Sequence, residues 1–154
     1  MTRLLFAGSF DPFTLGHKSV VDRTLSLADE IIIAIGINEG KKTLFPLDFR
    51  VNYIKKIYAD EPKVKVMHYE GLTTDFAQEV GASCLVRGVR DCKDFEYERQ
   101  MADVNRQITG IETLLIVTEE RYSGISSSII RELIHYGKDV SRFLPIDIKK
   151  ESTI

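Results

Sequence analysis

The sequence is poor in the residues that define several specialised classes of protein. Its 154 residues contain two cysteines, three histidines and no tryptophan. Cys84 and Cys92 are the two cysteines, and the histidines lie far from them in the sequence. Neither a zinc site nor a disulfide scaffold is therefore indicated. The longest apolar run, residues 31–37, is far too short to cross a lipid bilayer. We therefore expect no protein-bound metal and no membrane span.

A large excess of charge of one sign is also missing. The formal net charge of −2 provides no general attraction to nucleic acid or to an anionic membrane, so any polyanion must be bound by local basic residues. The first residues run directly into an apolar segment without a small-residue cleavage site, so no signal peptide is expected. These features predict a cytoplasmic protein that binds neither nucleic acid nor membrane.

What the sequence does contain is a regular series of short apolar segments. Its composition, 44% hydrophobic and 29% charged residues, is typical of an ordinary globular protein, and we expect one domain over residues 1–154. The charged residues after Pro145 suggest a loosely held end. Five segments are mostly apolar and often β-branched, as expected of parallel strands buried on both faces. They are residues 4–7, 31–37, 64–67, 84–86 and 114–117.

Helical patterns lie between these segments. Apolar residues recur there at helical spacing, in four stripes that begin at Val21, Leu47, Tyr97 and Ile129. Strands alternating with helices predict an α/β fold: a Rossmann-like, doubly wound, five-stranded parallel sheet with helices on both faces. Right-handed crossovers then place the carboxyl ends of all the strands at one edge, where ligands bind in such folds.

The unusual residues of the sequence follow the predicted strands. They lie in five loops, at residues 8–17, 38–42, 71–74, 87–90 and 118–128. Because the carboxyl ends of parallel strands meet at one edge of the sheet, residues distant in sequence can share one pocket there.

The first loop, GSFDPFTLGH, ends where a helix begins. His17 therefore lies in the first helical turn, where free backbone N–H groups and the helix dipole favour an anion. Gly16 permits close approach of the backbone, and Ser9 offers a hydroxyl. An incidental surface histidine in a glycine-containing turn fits the same residues, so the loop alone leaves both interpretations open. Asp11 and Pro12 are interpreted as shaping the turn.

Basic side chains follow the second and fourth strands. Lys41 and Lys42 could place a charge on a phosphate, or they could be solvated. Arg87 leaves a buried strand directly and Arg90 follows three residues later, so both guanidinium groups could bind phosphate oxygens. Pairing with the carboxylates of residues 91–98 accounts for the arginines equally well.

Three serines begin the last predicted helix. One serine is enough to cap a helix, so Ser126, Ser127 and Ser128 together exceed what capping requires and would suit a phosphate. Glu98 lies beside the stripe that begins at Tyr97, where it could accept hydrogen bonds from a ribose or be solvated. The sequence contains no Ser/His/Asp nucleophile motif.

Three of these segments together resemble the phosphopantetheine adenylyltransferases. GSFDPFTLGH is similar to the G-T-F-D-P…G-H opening of that family, itself a variant of the H-x-G-H signature of the nucleotidyltransferase superfamily. RGVRDCKDFEYE and GISSS are similar to the two other signatures of the family. Ser9 stands where the family more often has threonine, which preserves the hydroxyl. The resemblance extends from Leu4 to about Pro145.

The resemblance implies transfer of an adenylyl group from ATP to 4′-phosphopantetheine, giving dephospho-coenzyme A and pyrophosphate in coenzyme A biosynthesis. The attack on the α-phosphate of ATP would be in line and without a covalent enzyme intermediate, so catalysis would come from positioning and charge stabilisation. Mg²⁺ would arrive bound to ATP. The family also implies a homohexamer and coenzyme A as a feedback ligand.

The resemblance further implies roles for individual residues. His17 would be the catalytic residue and would stabilise the transition state at the α-phosphate. Ser9, Lys41, Thr73 and Arg87 would bind the acceptor, although the choice of Lys41 over its neighbour and the role of Thr73 are left open. ATP would be bound by Ser9, Phe10, His17, Gly88, Val89, Arg90, Glu98, Tyr122, Ser123, Gly124, Ile125, Ser126, Ser127 and Ser128.

Two other functions compete with this one. A sister nucleotidyltransferase, such as a cytidylyltransferase or a nicotinate-mononucleotide adenylyltransferase, would use a different nucleotide or acceptor. The paired arginines and the serine cluster argue against the cytidylyltransferase. A non-enzymatic nucleotide sensor on the same fold would bind ATP without releasing pyrophosphate.

Overall fold

Five parallel strands form the sheet that the sequence predicts. In the computed structural model, which describes residues 1–151, these strands are β1 Arg3–Gly8, β2 Glu30–Ile37, β3 Val64–Glu70, β4 Cys84–Val89 and β5 Glu112–Val117. They lie in the order β3-β2-β1-β4-β5, and every neighbouring pair is parallel. The strand order reverses at β1, so the loops after β1 and β4 lie at the point where a doubly wound fold opens a crevice.

Helices connect the strands and cover both faces of the sheet. Their bounds are α1 Leu15–Thr24, α2 Leu47–Ile57, α3 Thr73–Glu79, α4 Cys92–Thr109, α5 Ser127–His135 and α6 Ile148–Glu151. The sequence patterns indicated α1, α2, α4 and α5, whereas α3 has only seven residues and is too short to show a stripe. None of the helices in residues 1–151 has the length and apolarity that crossing a membrane requires.

The core consists of two apolar layers, one on each face of the sheet. On β1, Leu4 and Phe6 face the layer that contains α1, α2, α5 and α6. Leu5 and Ala7 face the opposite layer, to which α3 contributes, and α4 packs on β4 and β5. This alternation along a strand buried on both faces accounts for the continuous apolar run of β1.

The apolar stripe of α4 does not face the core. Tyr97 is 60% exposed and Ile108 is 64% exposed, and the residues of the stripe between them are exposed as well. Asp94, Glu98 and Asn105 lie on the side of α4 that lines the cavities described below, and Tyr97 and Met101 at the edge of the stripe also contribute to the walls. The periodicity of α4 therefore marks an amphipathic helix correctly, but most of its apolar side is left uncovered in the single chain.

The chain after Pro145 is held against the core up to Glu151, so the expectation of a loose end is wrong for these residues. The hydroxyl of Tyr53 donates a hydrogen bond to the carbonyl of Ile146 at 2.6 Å and accepts one from its N–H at 3.2 Å. Ile148 is buried, and Lys56 pairs with Glu151. The last three residues of the predicted domain, 152–154, lie outside the described residues.

Candidate active site

The loops that follow the strands meet at one edge of the sheet, where they enclose a cavity of about 290 Å³. We call this the first cavity. Residues of β1, β4, the starts of α1, α4 and α5, and the loop after β5 form its wall. Among the residues named from the sequence, those that line it are Ser9, Phe10, Gly16, His17, Arg87, Gly88, Arg90, Glu98, Tyr122, Ile125, Ser126 and Ser127.

His17 is held in one orientation by the start of α1. The side chain of Thr14 accepts a hydrogen bond from the backbone N–H of His17, and Nδ1 of His17 accepts one from the backbone N–H of Thr14 at 3.0 Å. Here His17 takes the place that Glu or Gln has in a capping box. Because a backbone N–H can only donate, Nδ1 is unprotonated and the proton of the neutral ring is on Nε2. The group offered to the cavity is therefore the Nε2–H donor.

The surroundings of His17 keep its imidazole neutral. Three phenylalanine rings lie with their centroids 5.1 to 6.1 Å from the imidazole, those of Phe6, Phe10 and Phe13. Burial, followed by the positive charges of Arg87 and Arg90, lowers the pKa of His17 from 6.5 to about 3. His17 thus acts near neutral pH as a hydrogen-bond donor and not as a cation.

This environment leads to a testable pH dependence. The NMR signals of the His17 ring are expected to stay unchanged from about pH 8 to pH 5, whereas an unperturbed histidine titrates near 6.5. Below about pH 6.5 the unfolded chain binds a proton that the folded chain does not bind. As the pH is lowered below this value, the wild-type enzyme should therefore lose up to about 1.4 kcal/mol of unfolding free energy per pH unit more than the His17→Asn variant does. The signals that disappear in His17→Asn are those of the His17 ring. A titration midpoint near pH 6.5 for these signals would contradict a neutral donor at this position.

Two arginines of the first cavity are fixed by carboxylates of α4. Arg87 makes two hydrogen bonds to Glu98, of 2.9 and 2.8 Å, and a third to the carbonyl of Ala7 at 2.7 Å. Arg90 pairs with Asp94 at 2.9 Å. The carboxylate pairing left open by the sequence is therefore present, and both guanidinium groups also line the cavity. Glu98 is buried, so the interpretation of this residue as solvated is wrong.

A second cavity of about 630 Å³ adjoins the first. Lys41 lines it, and the ammonium of Lys41 donates a hydrogen bond to Oγ of Ser9 at 3.2 Å. Thr73 also lines it, with its hydroxyl 2.6 Å from that of Tyr69. Ser9 and Arg87 belong to the walls of both cavities. The two cavities therefore meet at a hydroxyl and a guanidinium group.

A narrow cleft of about 200 Å³ leads away from this junction between α4 and the sheet. Arg87 and Thr73 lie where the cleft meets the second cavity. Farther along, the wall contains Leu85 and Met101 together with the amide of Asn105. The wall of the cleft is therefore mainly apolar, and the amide of Asn105 can donate and accept hydrogen bonds there.

The serine cluster is divided between structural and cavity positions. Ser126 caps α5 by accepting a hydrogen bond from the N–H of Ile129, and Oγ of Ser127 donates to the carbonyl of Pro12 at 2.8 Å. Both line the first cavity. Four of the ATP contacts that the resemblance implies lie off the cavity walls: Val89, Ser123, Gly124 and Ser128. Lys42 lies off them as well.

Asp11 and Arg50 are buried charged residues near the site. Neither was predicted from the sequence to be functional. Arg50 lines the second cavity. It lies in α2 three residues after Leu47 and four before Ile54, on the side of the helix that faces the core. An arginine within an apolar stripe is the signal that could have revealed it, because arginine is rarely buried unless it is paired.

Comparisons with known proteins identify the family of the chain. Residues 5–133 match the model of the cytidylyltransferase-like family. A phosphopantetheine adenylyltransferase of Bacteroides fragilis is 55% identical over 145 residues, which are 94% of this chain and 97% of that protein. Another, of Phocaeicola vulgatus, is 54% identical over 149 residues, which are 97% of this chain and 99% of that protein.

Solved structures share the fold at low sequence identity. A bifunctional NMN adenylyltransferase/ADP-ribose pyrophosphatase of Francisella tularensis has a TM-score of 0.70 at 13% identity, over 94% of this chain and 45% of that one. A lipopolysaccharide core biosynthesis protein of Thermoplasma volcanium has a TM-score of 0.55 at 20% identity, over 77% of this chain and 97% of that one. With its much closer sequence relatives, the chain belongs to the phosphopantetheine adenylyltransferases and is an enzyme of the nucleotidyltransferase class.

Proposed function

We propose that the enzyme transfers the adenylyl group of ATP to the phosphate of 4′-phosphopantetheine, giving dephospho-coenzyme A and pyrophosphate. The observation that carries this proposal is the meeting of two cavities at Ser9 and Arg87, beside the neutral donor of His17. A reaction between two phosphates requires two adjoining anion sites with a hydrogen-bond donor near their boundary.

The chemistry needs no protein nucleophile. An oxygen of the acceptor phosphate attacks the α-phosphorus of ATP, and the bond from that phosphorus to the oxygen of the departing pyrophosphate breaks. Negative charge is spread over the α-phosphoryl oxygens as this happens. The Nε2–H of His17 donates a hydrogen bond to one of these oxygens. Because the Thr14 N–H already fixes the ring at 3.0 Å, the donor needs no reorganisation during the reaction.

ATP occupies the first cavity in this proposal. Ser9 and Phe10 contact it on the β1 side, and Glu98 accepts hydrogen bonds from the ribose. Arg90 and the start of α5 meet the β- and γ-phosphates, where the N-terminus of a helix and the hydroxyl of Ser126 favour an anion. The other ATP contacts named from the sequence come from Gly88, Val89 and residues 122–128.

Mg²⁺ enters as part of the ATP complex in this proposal. In residues 1–151 no three His, Cys, Asp or Glu side chains are grouped as metal ligands. The two carboxylates that line the first cavity, Asp94 and Glu98, are engaged by Arg90 and Arg87. Phosphate oxygens and water are the usual ligands of a nucleotide-bound Mg²⁺.

The acceptor occupies the second cavity. Lys41 and Arg87 bind its phosphate, with Ser9 between the acceptor and the α-phosphate of ATP. The pantetheine arm extends past Thr73 into the narrow cleft, whose apolar wall and Asn105 amide suit a chain of methylene and amide groups. Coenzyme A contains the same phosphopantetheine group, and we propose that it competes for this cavity as a feedback ligand.

A panel of nucleotides and acceptors tests the reaction. Pyrophosphate release is expected with ATP and 4′-phosphopantetheine together, and not when CTP replaces ATP or nicotinate mononucleotide replaces the acceptor. Turnover with CTP but not with ATP would refute the proposal in favour of a cytidylyltransferase. Tight ATP binding without pyrophosphate release, even with the acceptor present, would indicate a nucleotide sensor.

We also propose that six copies assemble through the apolar stripe of α4 and act in the cytoplasm. An uncovered row of large apolar side chains is typical of a surface that binds another protein, and Tyr97, Met101, Val104 and Ile108 form such a row. Light scattering should then give six times the chain mass of 17.5 kDa. Ile108→Asp should lower this mass, because a charge buried in an apolar contact is costly.

The neighbouring exposed residue provides the matched control. Gln107 lies on α4 about a quarter turn away from the stripe, so Gln107→Asp adds the same charge without entering the contact and should leave the mass unchanged. A monomeric wild type, or a hexamer that persists in Ile108→Asp, would contradict this role of the stripe.

A further inference from the structure

Two buried residues of opposite charge, Asp11 and Arg50, join the loop after β1 to the segment between β2 and α2 through hydrogen bonds to the backbone. The two carboxylate oxygens of Asp11 accept hydrogen bonds from the backbone N–H groups of Leu44 and Phe45, both at 2.8 Å. Arg50 donates to the carbonyl of Phe45 at 3.0 Å and to the carbonyl of Ser9 at 2.8 Å. The two side chains are 2% and 6% exposed.

These contacts bear on the position of Lys41. Residues 39–42 are exposed, so few packing contacts hold this part of the segment, although the N–H of Lys41 donates to the carbonyl of Asn38 at 3.0 Å. Leu44, which Asp11 holds, follows Lys41 by three positions, and the Lys41 ammonium lies 3.2 Å from Oγ of Ser9. The carbonyl of Ser9 is held by Arg50. Asp11 and Arg50 thus hold the backbone on both sides of the contact between Lys41 and Ser9.

Two buried charged side chains, rather than apolar ones, hold this segment in place. Burying a carboxylate and a guanidinium group costs free energy, and apolar residues of similar size often stabilise a fold at least as well. Here the four hydrogen bonds go to backbone groups of only three residues, Ser9, Leu44 and Phe45. Charge-assisted bonds are short and directional, so they suit a segment whose position matters more than its stability.

We propose that Asp11 and Arg50 are positioning residues for acceptor binding: they hold Lys41 against Ser9, so that an organic phosphate meets both groups in one place. This inference rests on the proposed function, since it assigns the second cavity to the acceptor. Asp11 does not belong to the walls of the cavities, whereas Arg50 also lines the second cavity. In this arrangement both residues act through the segment and loop that they join.

Asp11→Asn provides the first test in the full-length enzyme. Asparagine keeps the size and one carbonyl oxygen, but it turns an NH₂ group toward one of the two backbone N–H donors. The KM for 4′-phosphopantetheine should rise about tenfold or more, since a buried hydrogen bond to a charged group is lost. The KM for ATP should change less than about twofold. Asp60→Asn, an exposed position, is the matched control and should change neither value.

A double-mutant cycle separates positioning from general destabilisation. If Asp11 acts through Lys41, then Asp11→Asn should raise the acceptor KM less than about twofold in a Lys41→Ala background, because interacting residues are non-additive. The same factor in both backgrounds would overturn the inference, as would an unchanged acceptor KM in Asp11→Asn. Arg50→Lys keeps the positive charge but loses the planar guanidinium group that donates to two carbonyls. This variant replaces Asp11→Asn in the cycle if Asp11→Asn does not fold.

Hydrogen exchange supplies a readout that does not depend on turnover. The amides of residues 41–45 should exchange faster in Asp11→Asn or Arg50→Lys, while those of β1 and β2 should keep their protection. Unchanged exchange in residues 41–45 would overturn the inference. The wild-type enzyme could fail to turn over 4′-phosphopantetheine while residues 41–45 exchange faster in the variants. This pair of results would refute the proposed acceptor and leave the anchoring by Asp11 and Arg50 intact.

Discussion

Replacing His17 with alanine is expected to lower kcat at least about a hundredfold while the affinity for ATP changes much less, as removal of an oxyanion donor does. The Nε2–H of His17 is a hydrogen-bond donor of the first cavity, which shares Ser9 and Arg87 with the second. The charge that it meets develops only as the α-phosphorus is attacked. Single-turnover rates and equilibrium ATP binding, measured separately, check this expectation.

The alanine variant also removes a structural contact, so it needs a control. Without Nδ1, the backbone N–H of the buried Thr14 loses its partner, which costs about 1 kcal/mol of stability. His17→Asn places an oxygen near the position of Nδ1 but has no group at the position of Nε2. The asparagine variant should therefore recover stability and still lack activity. Equal losses of kcat and ATP affinity in both variants would show that His17 binds only the ground state.

Replacing Arg87 with alanine is expected to raise the KM for 4′-phosphopantetheine about a hundredfold, since a phosphate loses a charged hydrogen-bonding partner. The same substitution leaves Glu98 buried without its two hydrogen bonds. We expect a loss of about 2 kcal/mol in the free energy of unfolding, because the partner carboxylate is then uncompensated. Steady-state kinetics and urea denaturation measure the two effects.

The double variant Arg87→Ala/Glu98→Gln separates binding from folding. The glutamine removes the unpaired charge, so the free energy of unfolding should recover, whereas the KM for the acceptor should remain high. An acceptor KM that recovers together with stability would mean that Arg87 serves the fold only. An unchanged acceptor KM in Arg87→Ala would remove this residue from the binding site.

Much of the fold could be predicted because buried parallel strands have a simple signature. The run at residues 4–7 lies within β1 Arg3–Gly8, and that at 84–86 lies within β4 Cys84–Val89. The helix α3 could not be predicted in the same way. It contributes only Phe76 and Ala77 to the core, and two neighbouring apolar residues define no period.

The site was partly predictable for a related reason. The carboxyl ends of parallel strands must share an edge, so the loops containing Ser9, Lys41 and Arg87 were expected to meet, and they do. The neutral state of the His17 ring was indicated by the helix start, because the dipole there disfavours a positive charge. The larger causes could not be predicted from the local sequence, since they are burial and two arginines that come from another strand and loop.

The amino-acid sequence by itself determined the alternation of strands and helices, the edge where the loops gather and the three motifs that mark the family. Tertiary structure alone decided that Arg87 pairs with Glu98, that Asp11 holds the segment before α2, and that α4 leaves its apolar stripe exposed. The physical reason is the range of the interactions. Periodicity reports which face of an element is apolar, but the partner that covers this face, or the charge that meets a buried side chain, is brought there by strand order and by the rotation of a helix about its axis.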